Sequence, residues 1–265
     1  MLPDYLQHFN EALQKFQEKF PREKWSPEFK DSLINNYSFY SARIEDDKLH
    51  YGDTIKFLNN ELVRVGKMTS LLNISNHKDV MKSLLDKLED FQLTEEIVKG
   101  IHQDLMGSDL AWEVEFKPEL IANYRNIPTV GSREPFFENK EYAPHYNLAV
   151  IMASHMGLFN NRFERIDNSN EATHILSVLA YFHNTFLNKI HPFADGNGRV
   201  CRIIMGAIMM QYNCPPIFPL ITDEEHQFEY ISTIVKCELE NSDDLLVRYF
   251  AKGMSESLLQ RVYEF

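Results

Sequence analysis

Between His191 and Arg202 the chain reads H-P-F-A-D-G-N-G-R-V-C-R. A neutral imidazole at His191 can take a proton from an attacking hydroxyl near pH 7. Asp195 supplies one carboxylate, and a single carboxylate with phosphate oxygens and water is a usual setting for Mg²⁺. Gly196 and Gly198 lack Cβ atoms, so a polyanion can come close to the backbone there. If a helix begins at these glycines, its unpaired N–H groups face that anion with partial positive charge. Arg199 and Arg202 then share one helix face, and two guanidinium forks on one face suit the outer phosphates of a nucleotide. Each residue alone has an ordinary reading. A histidine at a helix C-terminus complements the dipole, and D-G or N-G pairs form turns. Those readings leave two aligned arginines beside a glycine-rich turn unexplained, whereas a site that binds nucleotide phosphates and deprotonates an alcohol accounts for all of them.

The elements that must position these residues are mostly helical. Tyr5, Leu6, Phe9, Leu13 and Phe16 mark one amphipathic segment. Ser26-Pro27 reads as an N-cap with proline at the first helical position, opening a helix to about Ile44. Asp53 or Thr54 caps another through Ile55, Leu58, Leu62 and Val65. Further helices are expected near Val80 to Phe91 and from Thr94 to Met106, the latter closed by Gly107. Pro118, Pro128, Pro135 and Pro144 break the pattern, and Gly131-Ser132 between apolar pairs suggests a short hairpin. Helical spacing resumes near Tyr146 and again from Glu171 to Ile190, with a stripe of Ile175, Leu176, Leu179, Phe182 and Phe186. His191 ends that helix, and the next begins at about Gly198 or Arg199. Phe193 is expected to sink into the core and hold the intervening loop, while Pro192 narrows its backbone choices. Pro215-Pro216 stops the following helix, and two acidic amphipathic helices occupy most of the remainder.

Composition excludes several classes. The formal charge of -12 argues against nucleic acid as a general partner, which needs a basic field. Any phosphate chemistry must therefore rest on a few local arginines and backbone N–H groups. The 3 cysteines are widely spaced without a C-x-x-C, so neither a disulfide framework nor a zinc site is expected. No apolar run approaches the ~20 residues that span a bilayer, and the N-terminus lacks a signal pattern. The expectation is a cytoplasmic protein with no membrane partner.

The His191–Arg202 stretch resembles the motif of the Fic family, H-x-F-x-[D/E]-G-N-G-R-x-x-R. His191, Phe193, Asp195, Gly196, Asn197, Gly198, Arg199 and Arg202 match each specified position. The resemblance implies a mainly α, Fic-type helical bundle with a short β-hairpin flap. It implies transfer of AMP from ATP to a Ser, Thr or Tyr hydroxyl of a target protein, with release of pyrophosphate. By the same resemblance His191 is the general base and Asp195 the Mg²⁺ ligand. Asn197 positions the α-phosphate, Gly196 and Gly198 build the anion hole, and Arg199 and Arg202 hold the β- and γ-phosphates. Tyr124 to Pro144 sits where the family carries its flap, which aligns a target segment by strand addition; Ile127, Pro128, Thr129 and Val130 are its expected contact residues.

Ser41-Ala42-Arg43-Ile44-Glu45-Asp46 resembles the family's inhibitory motif, [S/T]-x-x-x-E-[G/N], departing at Asp46. The resemblance pairs Glu45 with Arg202 and so misplaces ATP. On this reading residues 1–94 form an N-terminal helical region with the inhibitory helix, and residues 95–265 the catalytic core with C-terminal helices. Apolar N-terminal helices leave room for a homo-oligomer. Alternatives are transfer of another phosphate-linked group, removal of AMP, or a non-catalytic interaction module, the last disfavoured because neither His191 nor an arginine is missing. His145, His155 and His174 lack metal-ligand spacing, His183 reads as a core histidine, and nothing selects Tyr181 or Tyr212 for self-modification.

Overall fold

The computed structural model describes residues 3–45, 49–59, 61, 68–85, 91–107, 118–133, 137–163, 171–220 and 223–264. The chain is mainly α, with one two-stranded antiparallel sheet among the described residues. Helix α1 (Asp4–Lys19) buries Leu6, Phe9, Leu13 and Phe16 along one face and packs on α10 (Asp244–Glu264). Helix α2 (Pro27–Arg43) starts as its sequence dictates: the Ser26 hydroxyl accepts the Phe29 N–H at 3.2 Å, with proline at the first helical position. Thr94 caps α5 (Glu95–Met106) in the same manner through the Ile97 N–H, and Gly107 follows its end.

Two boundaries differ from the sequence expectation. Helix α3 (Tyr51–Leu58) begins at Tyr51 after His50, so Asp53 and Thr54 lie inside it rather than capping it. Asp53 instead places its charge in the first turn, where it complements the helix dipole; Leu62 and Val65 lie outside the described residues. Helix α4 (Met68–Leu85) begins well before Val80. Leu71 and Ile74 on its early turns join Phe39, Leu49 and Leu58 in a small core of their own, and that tertiary packing extends the helix.

The hairpin pairs β1 (Val130–Arg133) with β2 (Phe137–Glu141). Gly131-Ser132 is therefore within a strand and not at the turn. Glycine is needed at 131 for another reason: a Cβ there would lie 2.5 Å from the Tyr142 hydroxyl oxygen. The register slips between Gly131 and Arg133, a bulge of the kind that bends a short ribbon.

Helices α6 (Leu148–Phe163) and α7 (Glu171–His183) lead into the centre, and α8 (Asn197–Gln211) forms its axis. Every residue of α8 from Arg199 to Met210 is buried, with Arg199 and Arg202 the charged exceptions on an otherwise apolar stretch. It is flanked by α2, α4, α5 and α7. Helix α9 (Glu224–Glu240) and α10 close the other side. One contiguous core runs from Leu6 to Leu258 and takes in α1 and α2 together with α4 to α10. Cys201, Cys214 and Cys237 are buried free thiols. No helix among the described residues is long and apolar enough to cross a membrane.

Candidate active site

The last two turns before His191 are not α-helical. Residues Asn184–Ile190 form a π-helical segment continuing α7, and the His191 N–H reaches back five residues to the Phe186 carbonyl at 2.9 Å. His191 itself is left-handed, with φ 52 and ψ 65. That geometry turns its ring under the helix end, where Nδ1 lies 2.9 Å from the Leu187 carbonyl oxygen. A carbonyl can only accept, so Nδ1 carries the hydrogen and Nε2 carries the lone pair. This is the tautomer a general base requires. The Tyr142 ring, just beyond β2, stacks on the imidazole at 4.2 Å and 21°.

The loop from Pro192 to Gly196 is held from inside. Phe193 is fully buried and stacks on His102 at 3.9 Å and 13°. The Asn197 side chain accepts from the Phe193 N–H and donates to the Phe193 carbonyl, both at 2.8 Å. Asn197 is 2% exposed and its amide is committed to closing the loop; what it can turn toward a phosphate is its backbone N–H. His102 takes the Ala122 N–H on Nδ1 at 3.0 Å, so Nε2–H donates to the Asp195 carbonyl at 3.2 Å. Burial lowers its pKa from 6.5 to about 4, which keeps the ring neutral and both bonds intact.

Gly196 turns the chain with φ +75 into α8, whose first turn has no side-chain cap. Its N–H groups and partial positive charge are thus open to an anion. Asp195 is exposed at the rim; one oxygen accepts the Gly196 N–H at 2.6 Å and the other lies 3.3 Å from Arg199. One carboxylate at the mouth of an anion hole suits a Mg²⁺ that draws its other ligands from phosphates and water. A cluster of three or more metal-ligating side chains is absent among the described residues, as that mode of binding allows.

Arg199 and Arg202 share a face, as their spacing requires, and meet α2 there. Glu45 bridges them: one oxygen is 2.7 Å from an Arg202 terminal nitrogen, and the other is 3.4 Å from Arg199 Nε. Arg202 Nε also donates to the Ser41 hydroxyl at 2.7 Å, and Arg199 to Asn73 of α4 at 2.8 Å. Tyr37 on α2 donates its hydroxyl to the Arg202 carbonyl. Burial opposes the Arg202 charge, but Glu45 together with Tyr230 and Cys201 outweighs it and holds the guanidinium above its ordinary pKa. Gly198 makes room for this arrangement, because a Cβ there would lie 2.9 Å from Arg202 and 3.3 Å from Glu45. Asp46 lies outside the described residues.

Ile127 and Val130 are 55% and 53% exposed, with Pro128 exposed and Thr129 half-buried beside them. Ile127 to Thr129 form the approach to β1, and Val130 is its first residue, paired with Glu141. The hairpin is pinned by Lys140, buried and paired with Glu238 of α9, and by Arg125, described below.

The structure thus gathers His191, Asp195, Gly196, Asn197, Gly198, Arg199, Arg202, Ser41 and Glu45 around one helix N-terminus. Sequence reasoning passed over Arg125, His102, Tyr142 and Asn73. His102 was within reach, since it shares the apolar face of Val98, Ile101 and Leu105. A buried arginine carries no comparable sequence signal.

Residues 92–209 match the Fic/DOC family model. The chain is 26% identical over 235 residues to the protein adenylyltransferase Fic of Drosophila persimilis, covering 83% of this chain and 39% of that protein. It is 28% identical over 238 residues to the protein adenylyltransferase fic-1 of Caenorhabditis briggsae, covering 85% of this chain and 40% of that protein. The chain therefore spans about two fifths of the length of these curated relatives. Its fold is shared with a Fic-domain signalling protein from Bacteroides thetaiotaomicron, with TM-score 0.76 and 18% identity over 96% of this chain and 95% of that one. Fic-1 from C. elegans gives TM-score 0.72 and 20% identity over 98% and 71% respectively.

Proposed function

We propose, from the match of residues 92–209 to the Fic/DOC family model and from the site's geometry, that the chain is a protein adenylyltransferase silenced by Glu45 at the end of its own α2. A target Ser, Thr or Tyr hydroxyl gives its proton to His191 Nε2 while its oxygen attacks the α-phosphorus of ATP. A new P–O bond forms, the bond to the β-phosphate oxygen breaks, and pyrophosphate leaves. The backbone N–H groups of Asn197 and Gly198 stabilise the developing charge, which preorganised donors do without reorganising. Arg199 and Arg202 hold the outer phosphates. Asp195 holds Mg²⁺, which supplies further positive charge to the phosphates.

Glu45 supports the inhibitory half of this reading. It occupies both arginines at once, where the sequence reading pairs it with Arg202 alone. Neither guanidinium can then present its full fork to a phosphate, and a displacement of ~1 Å at the reacting centre costs about 100-fold in rate.

The observation that carries the reading is the constellation itself: a left-handed His191 whose Nδ1 is turned back on the Leu187 carbonyl, an uncapped helix N-terminus, and two arginines bridged by one carboxylate. Incubation with Mg²⁺ and ATP labelled at the α-phosphate tests it. The Glu45→Gly form should label itself or an added lysate, the parent chain far less, and a Glu45→Gly, His191→Ala form should not label. Label from the γ-position, or transfer that survives loss of His191, would count against it.

A further inference from the structure

The hairpin and the loop that carries His191 meet at one buried side chain. Arg125 is 2% exposed. Its guanidinium donates to the carbonyls of His191 at 2.8 Å, Ile127 at 3.1 Å, Ile190 at 3.3 Å and Ala143. Its backbone N–H donates to the Pro192 carbonyl at 2.9 Å. Three successive carbonyls of the His191 loop therefore end on one residue. Ile127 and Ala143 are the two roots of the hairpin, just before β1 and just after β2. The Ala143 N–H closes the ring by donating to the Lys189 carbonyl at 3.0 Å.

This work needs arginine. Its planar fork offers five N–H donors in fixed directions, whereas a lysine ammonium offers three from one point. The residue most in need of holding is His191. Its φ of 52 is one that side chains with a Cβ rarely adopt, and such a conformation persists where the surroundings over-determine it. The carbonyls on either side of that dihedral pair are the ones Arg125 holds. Tyr142, one residue from the Ala143 root, stacks on the imidazole, so a shift of the root also shifts the ring that covers the base.

We propose that Arg125 is a positioning residue: it fixes the His191 imidazole and both roots of the hairpin as one rigid unit, so that a hydroxyl delivered along the hairpin arrives in register with the base. The delivery of a hydroxyl rests on the reading in the preceding subsection; the rigid coupling does not. The arginines proposed to hold the outer phosphates lie apart from this unit, on α8. Loss of Arg125 therefore lowers the rate and spares nucleotide affinity.

Arg125→Lys and Arg125→Gln, each in the Glu45→Gly background, test this. Label transfer from α-labelled ATP should fall about 100-fold while the calorimetric affinity for Mg-ATP stays within about twofold. Backbone hydrogen exchange should quicken in residues 127–143 and 186–193 and stay unchanged in α10. The His191 ring resonances should split or broaden. If the Glu45→Gly parent transfers no label, the adenylyl-transfer reading fails, while exchange and ring resonances still decide the role of Arg125. Three results overturn the proposal: unchanged transfer in an Arg125 variant of an active parent, exchange that quickens equally across α8 and α10, or failure of both variants to unfold cooperatively. The last two would make Arg125 a residue of the fold at large.

Discussion

Arg202 carries a full charge into the core, 2% exposed, and Glu45 is the carboxylate that compensates it. Removing one partner of such a pair leaves an uncompensated buried charge. Glu45 is 43% exposed, so solvent screens part of the effect, and Glu45→Gly should cost about 1–2 kcal/mol. The same vacancy favours an anion. Saturating Mg-ATP at about 100 times its dissociation constant should return about 2.7 kcal/mol, a gain the parent chain does not share while Glu45 holds its arginines. Thermal melts of both forms with and without Mg-ATP check this, and an equal shift in the two would show that Glu45 does not compete with phosphate. The motif residues were legible one by one from their types. The joint capture of Arg199 and Arg202 by Glu45 was not, because it depends on where α2 ends relative to α8.

Helix α2 is the element on which the proposed inhibition depends. Its start is fixed by the Ser26 cap and its end by Ser41 and Glu45 on the arginines, 17 helical residues apart. At 1.5 Å per residue the two ends are about 25 Å apart. Ser26→Ala should therefore cost about 1 kcal/mol, near 2–4 °C in melting temperature, without waking label transfer. A urea titration beside the transfer assay reads both, and a variant that gains transfer would mean the whole helix moves as one lever. The caps at Ser26 and Thr94 could be read directly, since a side-chain oxygen acting on an N–H three residues on is a local event. The start of α4 and the hairpin turn could not. Packing of Leu71 and Ile74 on α2 and α3 extended the one, and close approach of Tyr142 to Gly131, not a turn, explains the glycine in the other.

At the scale of the whole molecule, three buried histidines make stability depend on acid. Burial lowers the pKa of His102 and His155 from 6.5 to about 4, and that of His77 well below 6.5. The unfolded chain then binds more protons between those values, so this stability is fully present above pH 6.5 and is lost as pH falls toward 4. The ceiling is on the order of 3 kcal/mol each for His102 and His155, at 1.36 kcal/mol per unit. Unfolding titrations from pH 7 to pH 4 should show the loss. His155→Phe should remove one proton from the slope, because both ring nitrogens of His155 are buried without a hydrogen-bond partner among the described residues; an unchanged slope would show that His155 is not among the groups responsible. Sequence alone determined the helical character and the glycine-rich turn, because periodicity and glycine act over short stretches of chain, whereas the pairing of Glu45 with Arg202, 157 positions apart, came only from the resemblance to a family motif. Tertiary structure decided the rest: the π-helical end that turns the His191 ring so that Nδ1 meets the Leu187 carbonyl, the committed amide of Asn197, and the five bonds of Arg125. Those contacts join residues far apart in sequence, and their direction is set by burial, which the order of residues does not reveal until the helices have packed.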